Sequence, residues 1–372
     1  MAKALVLGCG ASGRAAAEEL KRRGYDVDFA DGYSLVAASP GVPVKSELQL
    51  GCEELKRRGW RLLAVTGSKG KSSVVKVVAD ALGLAGAVAV PCGNYGRPVC
   101  DLVGEKPGWA VVEVSSFQLE TTQLAGGSFE AAAVLNVQED HLDRHGDASV
   151  YAALKHRLAS MSKVFFGGLE SLSHGALAEQ PCCRGLDGLV AGSYFDNEVL
   201  RANGAYAVAL MRAAGLDDAA IRRGFTSFEP LPHRFQLVAE RGGVRYVDDS
   251  KATSIAALVA GISMCGASPV RLLAGGKPKG DDPKIAVPIL TERVKKVYLI
   301  GQSAESFATA WKSAADCEVC GTMEKAVEAA KRDAEKGETV LLSPGTASFD
   351  QFSNFGERGE VFAALVKKGK AQ

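Results

Sequence analysis

The segment that most constrains the fold is the glycine-rich stretch Thr66-Gly-Ser-Lys-Gly-Lys-Ser-Ser73. A predicted strand, Leu62–Val65, precedes it, and a predicted helix, Ser72–Leu84, follows it. Glycines in such a loop let backbone N–H groups point at phosphate oxygens, and the helix N-terminus adds a partial positive charge. The stretch therefore predicts a phosphate-binding loop, although Val65 stands where the usual pattern has its first glycine.

The loop and a nearby acid predict a site for a nucleotide and Mg²⁺. Lys71 can reach the terminal phosphates, and the Ser72 hydroxyl can bind the metal ion. Glu113 stands near the end of the predicted strand Trp109–Val114, where a carboxylate would supply a second protein oxygen to Mg²⁺. We predict that the loop binds ATP through Gly67, Ser68, Lys69, Gly70, Lys71, Ser72 and Ser73.

Composition narrows the function classes. The 44 basic and 43 acidic residues nearly cancel, so nucleic-acid binding is not indicated. No apolar run approaches the ~20 residues of a membrane helix, and no signal peptide is visible, so we expect a cytoplasmic protein. The nine cysteines are an odd number in a long chain, which favours ordinary thiols over a disulfide framework.

Strands and helices alternate along the chain, which predicts an α/β fold with mainly parallel sheets. We expect three domains: an abbreviated Rossmann-like domain over 1–50, a central P-loop ATPase-like domain over 51–230 and a Rossmann-like α/β domain over 231–372. The last boundary falls near Glu229–Arg234, where two prolines in three residues disfavour helix and strand.

A second glycine pattern, Gly8-x-Gly10-x-x-Gly13, follows the first predicted strand, and Asp31 ends the next one. This arrangement is typical of dinucleotide-binding folds. From the residues alone, a nicotinamide cofactor and a turn that merely requires glycine explain it equally well. A nucleotide without redox chemistry is a third explanation.

Two polar clusters leave alternatives open. His141 could bind a metal ion, but the cluster Asp140, His141, Asp143 and His145 taken alone fits a solvated turn better. Lys155 alone fits a lysine on a helix surface. In the third domain, residues 249–253 and Lys279 could hold an acidic substrate or could be ordinary loop residues.

Six segments together resemble the Mur ligases, in the order in which that family has them. They are Thr66–Ser73, Glu113–Thr122, Asn136–Asp143, Leu231–Phe235, Asp249–Thr253 and Leu342–Phe355. The resemblance runs from about Ala64 to the C-terminus and is strongest to the members that add D-glutamate. It implies an ATP-dependent amide ligase whose acceptor substrate is UDP-N-acetylmuramoyl-L-alanine. Its carboxylate would form an acyl phosphate with ATP, and the amine of D-glutamate would displace the phosphate.

The resemblance also implies a cofactor set and site residues. It implies a bacterial monomer with small-molecule substrates, two Mg²⁺ ions and a CO₂-derived carbamate on Lys155. The catalytic residues would be Lys71, Glu113, His141 and Lys155, and the metal ligands Ser72, Glu113, His141 and Lys155. Beyond the loop, ATP would contact Asn203, His233, Arg234 and Asp249. The acceptor substrate would contact Gly10, Ser12, Gly13, Asp31, Ser39, Asn94 and Ser115, and D-glutamate would contact Lys251, Thr253, Lys279, Ser348, Phe349 and Phe355.

Three alternatives compete with this interpretation. One is a related Mur-type or folylpolyglutamate-type ligase that uses another amino acid. A second is a catalytically silent nucleotide-binding homologue, which the presence of Lys71, Glu113 and Lys155 argues against. The third is a nicotinamide-dependent oxidoreductase, which leaves the loop at Thr66–Ser73 unexplained.

Overall fold

The computed structural model describes residues 2–31, 44–137, 142–167, 178–179 and 185–368. The chain divides into two compact units, one of residues 1–196 and 200–228 and the other of residues 197–199 and 229–372. The predicted α/β fold with parallel sheets is confirmed. The change of unit at residue 229 coincides with the predicted linker, whereas the expected boundary after residue 50 falls inside a helix, Glu47–Arg57. The division into three domains remains a prediction.

The first unit carries two parallel sheets. Its strands are β1 (Lys3–Leu7), β2 (Asp26–Ala30), β3 (Arg61–Thr66), β4 (Ala89–Gly93), β5 (Trp109–Glu113), β6 (Phe129–Val134), β7 (Ser162–Phe166) and β8 (Ala178–Glu179). Its helices are α1 (Ala11–Arg22), α2 (Glu47–Arg57), α3 (Lys71–Leu84), α4 (Ser116–Thr121), α5 (Leu142–His145), α6 (Ala148–His156), α7 (Leu158–Met161), α8 (Leu186–Val190), α9 (Arg201–Ala213) and α10 (Asp218–Thr226). A 3₁₀ turn covers Val99–Leu102.

The larger sheet of this unit has the strand order β4-β5-β3-β6-β7-β8, with every pair parallel. Residues 62–65 of β3 are fully buried, because helices cover both faces of a parallel sheet and favour a continuous apolar run. β5 and β4 lie on one side of β3, and β6 lies on the other. The chain fills the first side with β4 and β5 and then crosses β3 to β6, so the strand order reverses at β3. Ligands bind at such a reversal, at the carboxyl ends of the strands, and the loop after β3 stands there.

The second unit is a six-stranded sheet between two helical layers. Its strands are β9 (Gln236–Arg241), β10 (Val244–Asp248), β11 (Val270–Gly275), β12 (Val294–Ile300), β13 (Asp316–Gly321) and β14 (Thr339–Leu342), in the order β13-β12-β11-β14-β10-β9 with only β9 antiparallel within this sheet. Its helices are α11 (Ile255–Met264), α12 (Val287–Arg293), α13 (Ala304–Trp311), α14 (Met323–Asp333) and α15 (Phe355–Lys367), with a 3₁₀ turn at Pro283–Ala286. Alternation along β11 sends Leu272 into one core and Leu273 into the other.

Three local features complete the description of the fold. Residues 148–161 form two helices, α6 and α7, because the chain breaks at Arg157, whose guanidinium donates to the carbonyl groups of Leu119 and Thr122 at the end of α4. The described cysteines are free thiols, as predicted: Cys9, Cys52, Cys92, Cys100, Cys265, Cys317 and Cys320. No helix in the described part of the chain combines the length and the apolar character that crossing a membrane requires.

Candidate functional site

The phosphate loop predicted at Thr66–Ser73 joins β3 to α3, so a buried strand leads directly into a helix N-terminus. Gly70 precedes α3 in the left-handed region with φ +85°, and Gly67 has φ +150°. A Cβ atom on Gly67 would lie 3.1 Å from the Cβ of Leu135. These two glycines let the loop turn tightly against the neighbouring strand end.

Two lysine side chains converge on this loop. Nζ of Lys71 donates to the carbonyl oxygens of Gly67 and Ser68, at 2.8 and 3.1 Å. Nζ of the buried Lys155 donates to the same oxygen of Gly67 at 3.0 Å and lies 4.2 Å from the centre of the Tyr151 ring. The Tyr151 hydroxyl is in turn 3.2 Å from Oγ of Ser68. The fold therefore brings the predicted residues Lys71, Lys155 and Ser68 together.

Glu113, the predicted metal-binding acid, ends β5 and pairs with Val65, so it lies beside the start of the loop. Its side chain is buried, and Oε1 accepts a hydrogen bond from Nδ2 of Asn94 at 2.7 Å. Among the described residues, Oε2 has no hydrogen-bond partner although it is buried. A buried carboxylate oxygen is costly unless a donor or a cation faces it. Glu113 therefore fits the expected divalent ion.

Of the other predicted metal ligands, Ser72 and Lys155 lie at the phosphate loop, and His141 is outside the described residues. Ser72 is buried in the first turn of α3, close in sequence to the loop lysine. His141 lies outside the described residues, as do Asp140 and the predicted substrate contact Ser39. Within the described ranges, no group of three or more histidine, cysteine, aspartate or glutamate side chains could hold a metal ion. Mg²⁺ commonly keeps several waters and takes one or two carboxylates, so Glu113 suits it without such a group.

Ser115 has a local structural role that sequence analysis did not foresee. It is the N-cap of α4: its Oγ accepts from the Gln118 N–H at 3.2 Å, and Oε1 of Gln118 accepts from the Ser115 N–H at 2.9 Å. His145, from the cluster for which the residues alone favour a solvated turn, contacts the same helix, with Nε2 3.0 Å from Oγ of Ser116 and Nδ1 3.2 Å from Oε1 of Glu120. The predicted substrate role of Ser115 stays a prediction.

Two asparagine side chains contact the phosphate loop, Asn136 through hydrogen bonds and Asn203 by packing against Gly70. Oδ1 of Asn136 accepts from the Lys69 N–H at 2.8 Å, and Nδ2 donates to the Lys69 carbonyl at 3.0 Å. Asn203, on α9, is buried, and a Cβ atom on Gly70 would lie 2.2 Å from its Nδ2. The family resemblance implies an ATP contact for Asn203, but it does not predict the contact of Asn136 with the loop. The sequence shows an amide side chain just after β6, but it does not show that β6 pairs with β3.

In the second unit, predicted D-glutamate residues gather at the carboxyl ends of the strands. Nζ of Lys251 lies 4.7 Å from the centre of the Phe355 ring, and Nζ of Lys279 donates to the carbonyl of Thr253 at 3.2 Å. Cations and an aromatic ring are suited to an acidic amino acid with a short carbon chain. These residues form two contacting pairs, Lys251 with Phe355 and Lys279 with Thr253, and their role stays a prediction.

Ser348 and Phe349 lie on the loop that follows β14. An antiparallel bridge between Lys277 and Ala347 ties this loop to the one that carries Lys279. Ser348 is buried and Phe349 is 67% exposed, so only the phenylalanine offers a large accessible side chain. Ser348 and Phe349 therefore follow directly after a residue that is hydrogen-bonded to the loop of Lys279.

The predicted ATP contacts of the second unit take part in a strained hydrogen-bonded segment. His233 and Phe235 have φ of +61° and +48°, a region that side chains disfavour. Nδ1 of His233 lies 2.7 Å from Oδ2 of Asp248, while Asp249 accepts from the Phe235 N–H at 3.1 Å and from Oγ of Ser343 at 3.0 Å. Burial raises the pKa of Asp249 to about 7. Arg234 follows His233 on the same segment.

The N-terminal glycine pattern, Gly8-x-Gly10-x-x-Gly13, forms the expected strand–turn–helix. Gly10 precedes α1, Ser12 lies in its first turn, and Asp31 follows β2. A Cβ atom on Gly13 would lie 1.9 Å from the carbonyl oxygen of Gly8, so the close approach of α1 to the turn requires glycine there. The structure thus supplies a reason for Gly13 that needs no ligand, and the substrate role of these residues stays a prediction.

Comparison with known proteins identifies relatives over most of the chain. Residues 65–165 match the Mur ligase middle domain, and residues 233–345 match the Mur ligase glutamate ligase domain. The chain is 38% identical over 339 residues to UDP-N-acetylmuramoylalanine–D-glutamate ligase of Nitratidesulfovibrio vulgaris, covering 89% of this chain and 77% of that one. It is 32% identical over 447 residues to the protein of that name from Acidobacterium capsulatum, covering 98% and 96%.

Solved structures share the fold at lower identity. MurF ligase from Thermotoga maritima, in complex with ADP, matches with a TM-score of 0.63 at 18% identity, covering 99% of this chain and 95% of that one. A bifunctional folylpolyglutamate synthase/dihydrofolate synthase from Yersinia pestis, complexed with AMPPNP and Mn ion, matches with a TM-score of 0.61 at 19% identity, covering 89% and 95%. At these identities the two structures show a common fold alone.

Proposed function

Because the chain belongs to the Mur ligase family and is thus an ATP-dependent ligase of peptidoglycan synthesis, we propose that it joins D-glutamate to UDP-N-acetylmuramoyl-L-alanine. Curated relatives that match most of the chain are named for this reaction. The expected monomeric state and bacterial cytoplasmic location belong to the same proposal.

The observation that carries the proposal is the Oε2 atom of Glu113, which is buried and has no hydrogen-bond partner among the described residues. It stands at the end of the strand beside the phosphate loop, where a divalent ion would balance its charge. Glu113 and Ser72 would hold one Mg²⁺, and His141 with a carbamylated Lys155 would hold another. Bound Mg²⁺ would supply positive charge against the phosphate oxygens of ATP. Nucleotides in two solved relatives, and Mn ion in one, support this choice of ligands.

The loop residues would bind and orient the phosphates. Lys71 would exchange its bonds to the carbonyl groups of Gly67 and Ser68 for the terminal phosphates, which attract its ammonium group more strongly. The N-terminus of α3 favours an anion at the same place. The acceptor's carboxylate would then attack the γ-phosphate to give an acyl phosphate and ADP. Attack by the amine of D-glutamate would form the amide and release phosphate.

The surroundings of Lys155 support its proposed carbamylation. Its Nζ and that of Lys71 both donate to one carbonyl oxygen, so two ammonium groups lie close together in a mostly buried place. Reaction of the neutral amine with CO₂ forms an N–C bond and releases a proton, which replaces a cation by an anion. We expect Lys155→Ala to lose most activity and bicarbonate not to restore it. Unchanged turnover in that variant would exclude the carbamate.

The remaining contacts are proposals of the same kind. Lys251, Thr253, Lys279 and Phe355 would bind D-glutamate, with the two lysines facing its carboxylates. The backbone turn around Gly10 and Gly13 would face the uridine nucleotide of the acceptor.

The test is phosphate release with ATP, Mg²⁺, UDP-N-acetylmuramoyl-L-alanine and a panel of amino acids. We expect release with D-glutamate and not with L-glutamate or diamino acids. Absence of release with D-glutamate, or faster release with another amino acid, would overturn the substrate assignment. Glu113→Gln is the matched variant, since it keeps the acceptor for Asn94 and removes the charge. We expect it to need more Mg²⁺ for half-maximal rate, and an unchanged Mg²⁺ requirement would remove Glu113 from the metal site.

A further inference from the structure

The phosphate loop is held by a side chain that takes no part in the roles described above. The β3–β6 ladder pairs Thr66 with Val134 and continues past the strand ends. The Leu135 N–H donates to the Thr66 carbonyl at 3.0 Å, and the Ser68 N–H donates to the Asn136 carbonyl at 2.9 Å. The next rung comes from the Asn136 side chain, whose Oδ1 and Nδ2 bond the N–H and the carbonyl of Lys69. A carboxamide has the same donor and acceptor as a peptide group, so it extends the ladder by one residue.

We propose that Asn136 is a positioning residue that holds Ser68 and Lys69 in the nucleotide-binding form of the loop. The proposal rests on the proposed function, because it takes the loop to bind the phosphates of ATP. Asn136 itself need not touch the nucleotide. It acts through the main chain of the loop.

The loop needs such a support because glycines flank the two residues it fixes. Gly67 and Gly70 both adopt positive φ, and glycine loses more conformational freedom on ordering than any other residue. Without the Asn136 side chain, Ser68 and Lys69 would lose their conformational entropy only when the nucleotide binds, and this cost would lower the affinity. With the rung, the loop is ordered beforehand, and more of the interaction energy appears as affinity.

The same bonds restrict which backbone groups can face the phosphates. The N–H groups of Ser68 and Lys69 both point at Asn136, one at its carbonyl and one at its side chain. The N–H groups of residues 70–73 lie at the start of α3, where the helix dipole favours an anion. The phosphates are therefore expected on the helix side of the loop.

The experiment compares Asn136→Ala, Asn136→Asp and a matched control, Val137→Ala, in the full chain. Val137 is the next residue and is 38% exposed, so its truncation leaves the rung intact. Calorimetric titration with Mg²⁺–ADP measures affinity, and hydrogen exchange without nucleotide measures protection of the Ser68 and Lys69 amides. Loss of two hydrogen bonds predicts about 10- to 100-fold weaker ADP binding and faster exchange for Asn136→Ala. The KM for ATP should rise with kcat largely kept, since saturating ATP can order the loop.

Asn136→Asp has the same shape, so it serves if the alanine variant does not fold. It keeps the acceptor for the Lys69 N–H, but it places a carboxylate oxygen against the Lys69 carbonyl oxygen in place of the donor, and the added negative charge repels the phosphates. We therefore expect its ADP affinity to fall at least as far. The control should bind ADP within about twofold of wild type. Unchanged affinity and unchanged exchange in the Asn136 variants would overturn the positioning role. A wild-type protein that does not bind ADP would overturn the proposed function instead.

Discussion

The carboxyl group of Asp249 makes the stability of the second unit depend on pH. Its pKa rises from 3.8 to about 7, mainly because of burial and in part because of Asp248, against the hydrogen bonds from Phe235 and Ser343. The folded protein therefore keeps a proton that the unfolded chain releases near pH 4. The stabilisation is complete below pH 4 and is lost as pH rises to about 7. At about 1.4 kcal/mol per pKa unit, the contribution of Asp249 to the free energy of unfolding should fall by about 4 kcal/mol across this window.

Asp249→Asn should remove this dependence, because an amide does not titrate here. Its oxygen can still accept from the Phe235 N–H, and its NH₂ can donate to the Ser343 hydroxyl. Urea unfolding at several pH values, followed by ¹⁹F NMR of fluorotryptophan, isolates the second unit through Trp311. The control is Asp333→Asn, since hydrogen bonds from Arg332, and then Lys296 and Tyr298, lower the pKa of Asp333 to about 2. That carboxylate stabilises the fold above pH 4 and loses its effect only as pH falls toward 2.

The difference in unfolding free energy between wild type and Asp249→Asn should therefore change between pH 4 and 7. The corresponding difference for Asp333→Asn should be flat in that window. Parallel pH profiles of wild type and Asp249→Asn would refute the reasoning, because no proton linkage could then be assigned to Asp249.

Three other substitutions test the packing. Gly359→Ala would place a Cβ 2.1 Å from Nδ1 of His233, so we expect urea unfolding to show a free energy of unfolding lower by about 1–3 kcal/mol. The control is Gly83→Ala, in a helix, whose Cβ would meet nothing within 4 Å and should not lower the free energy of unfolding. Arg358 is fully buried and donates to three backbone carbonyls, so Arg358→Met should cost about 3 kcal/mol or more, and an unchanged urea midpoint would contradict this. Gly13→Ala would set a Cβ 1.9 Å from a backbone oxygen and should speed amide exchange in β1, which equal exchange rates would disprove.

Sequence predicted those parts of the candidate site that depend on neighbouring residues. The loop at Thr66–Ser73 has a local signature, and Glu113 follows from the rule that strand ends face the ligand. Asn136 could not be found in this way, because its role depends on β6 pairing with β3, and sequence does not give strand order. Ser115 belongs to a family motif and is also the N-cap of α4. Its capping role becomes visible only once the first residue of α4 is known. His233 has a positive φ and contacts Asp248, 15 residues away, and no local pattern in the sequence indicates either feature.

The charges around the phosphate loop connect the nucleotide and the proposed carbamate. With Lys155 as an ammonium group, Lys71, Lys155 and Glu113 together carry one net positive charge, which opposes Mg²⁺ binding at Glu113. With Lys155 as a carbamate, the same three groups carry one net negative charge, and a second anionic oxygen ligand stands near the loop. Lys71 is then the one cation among these three groups, so their attraction for the phosphates of ATP depends on it. The burial of Lys155 strengthens each of these effects, because its charge is poorly screened by water. Carbamylation would therefore favour the metal ion directly, and the nucleotide only through the positive charge of the bound Mg²⁺.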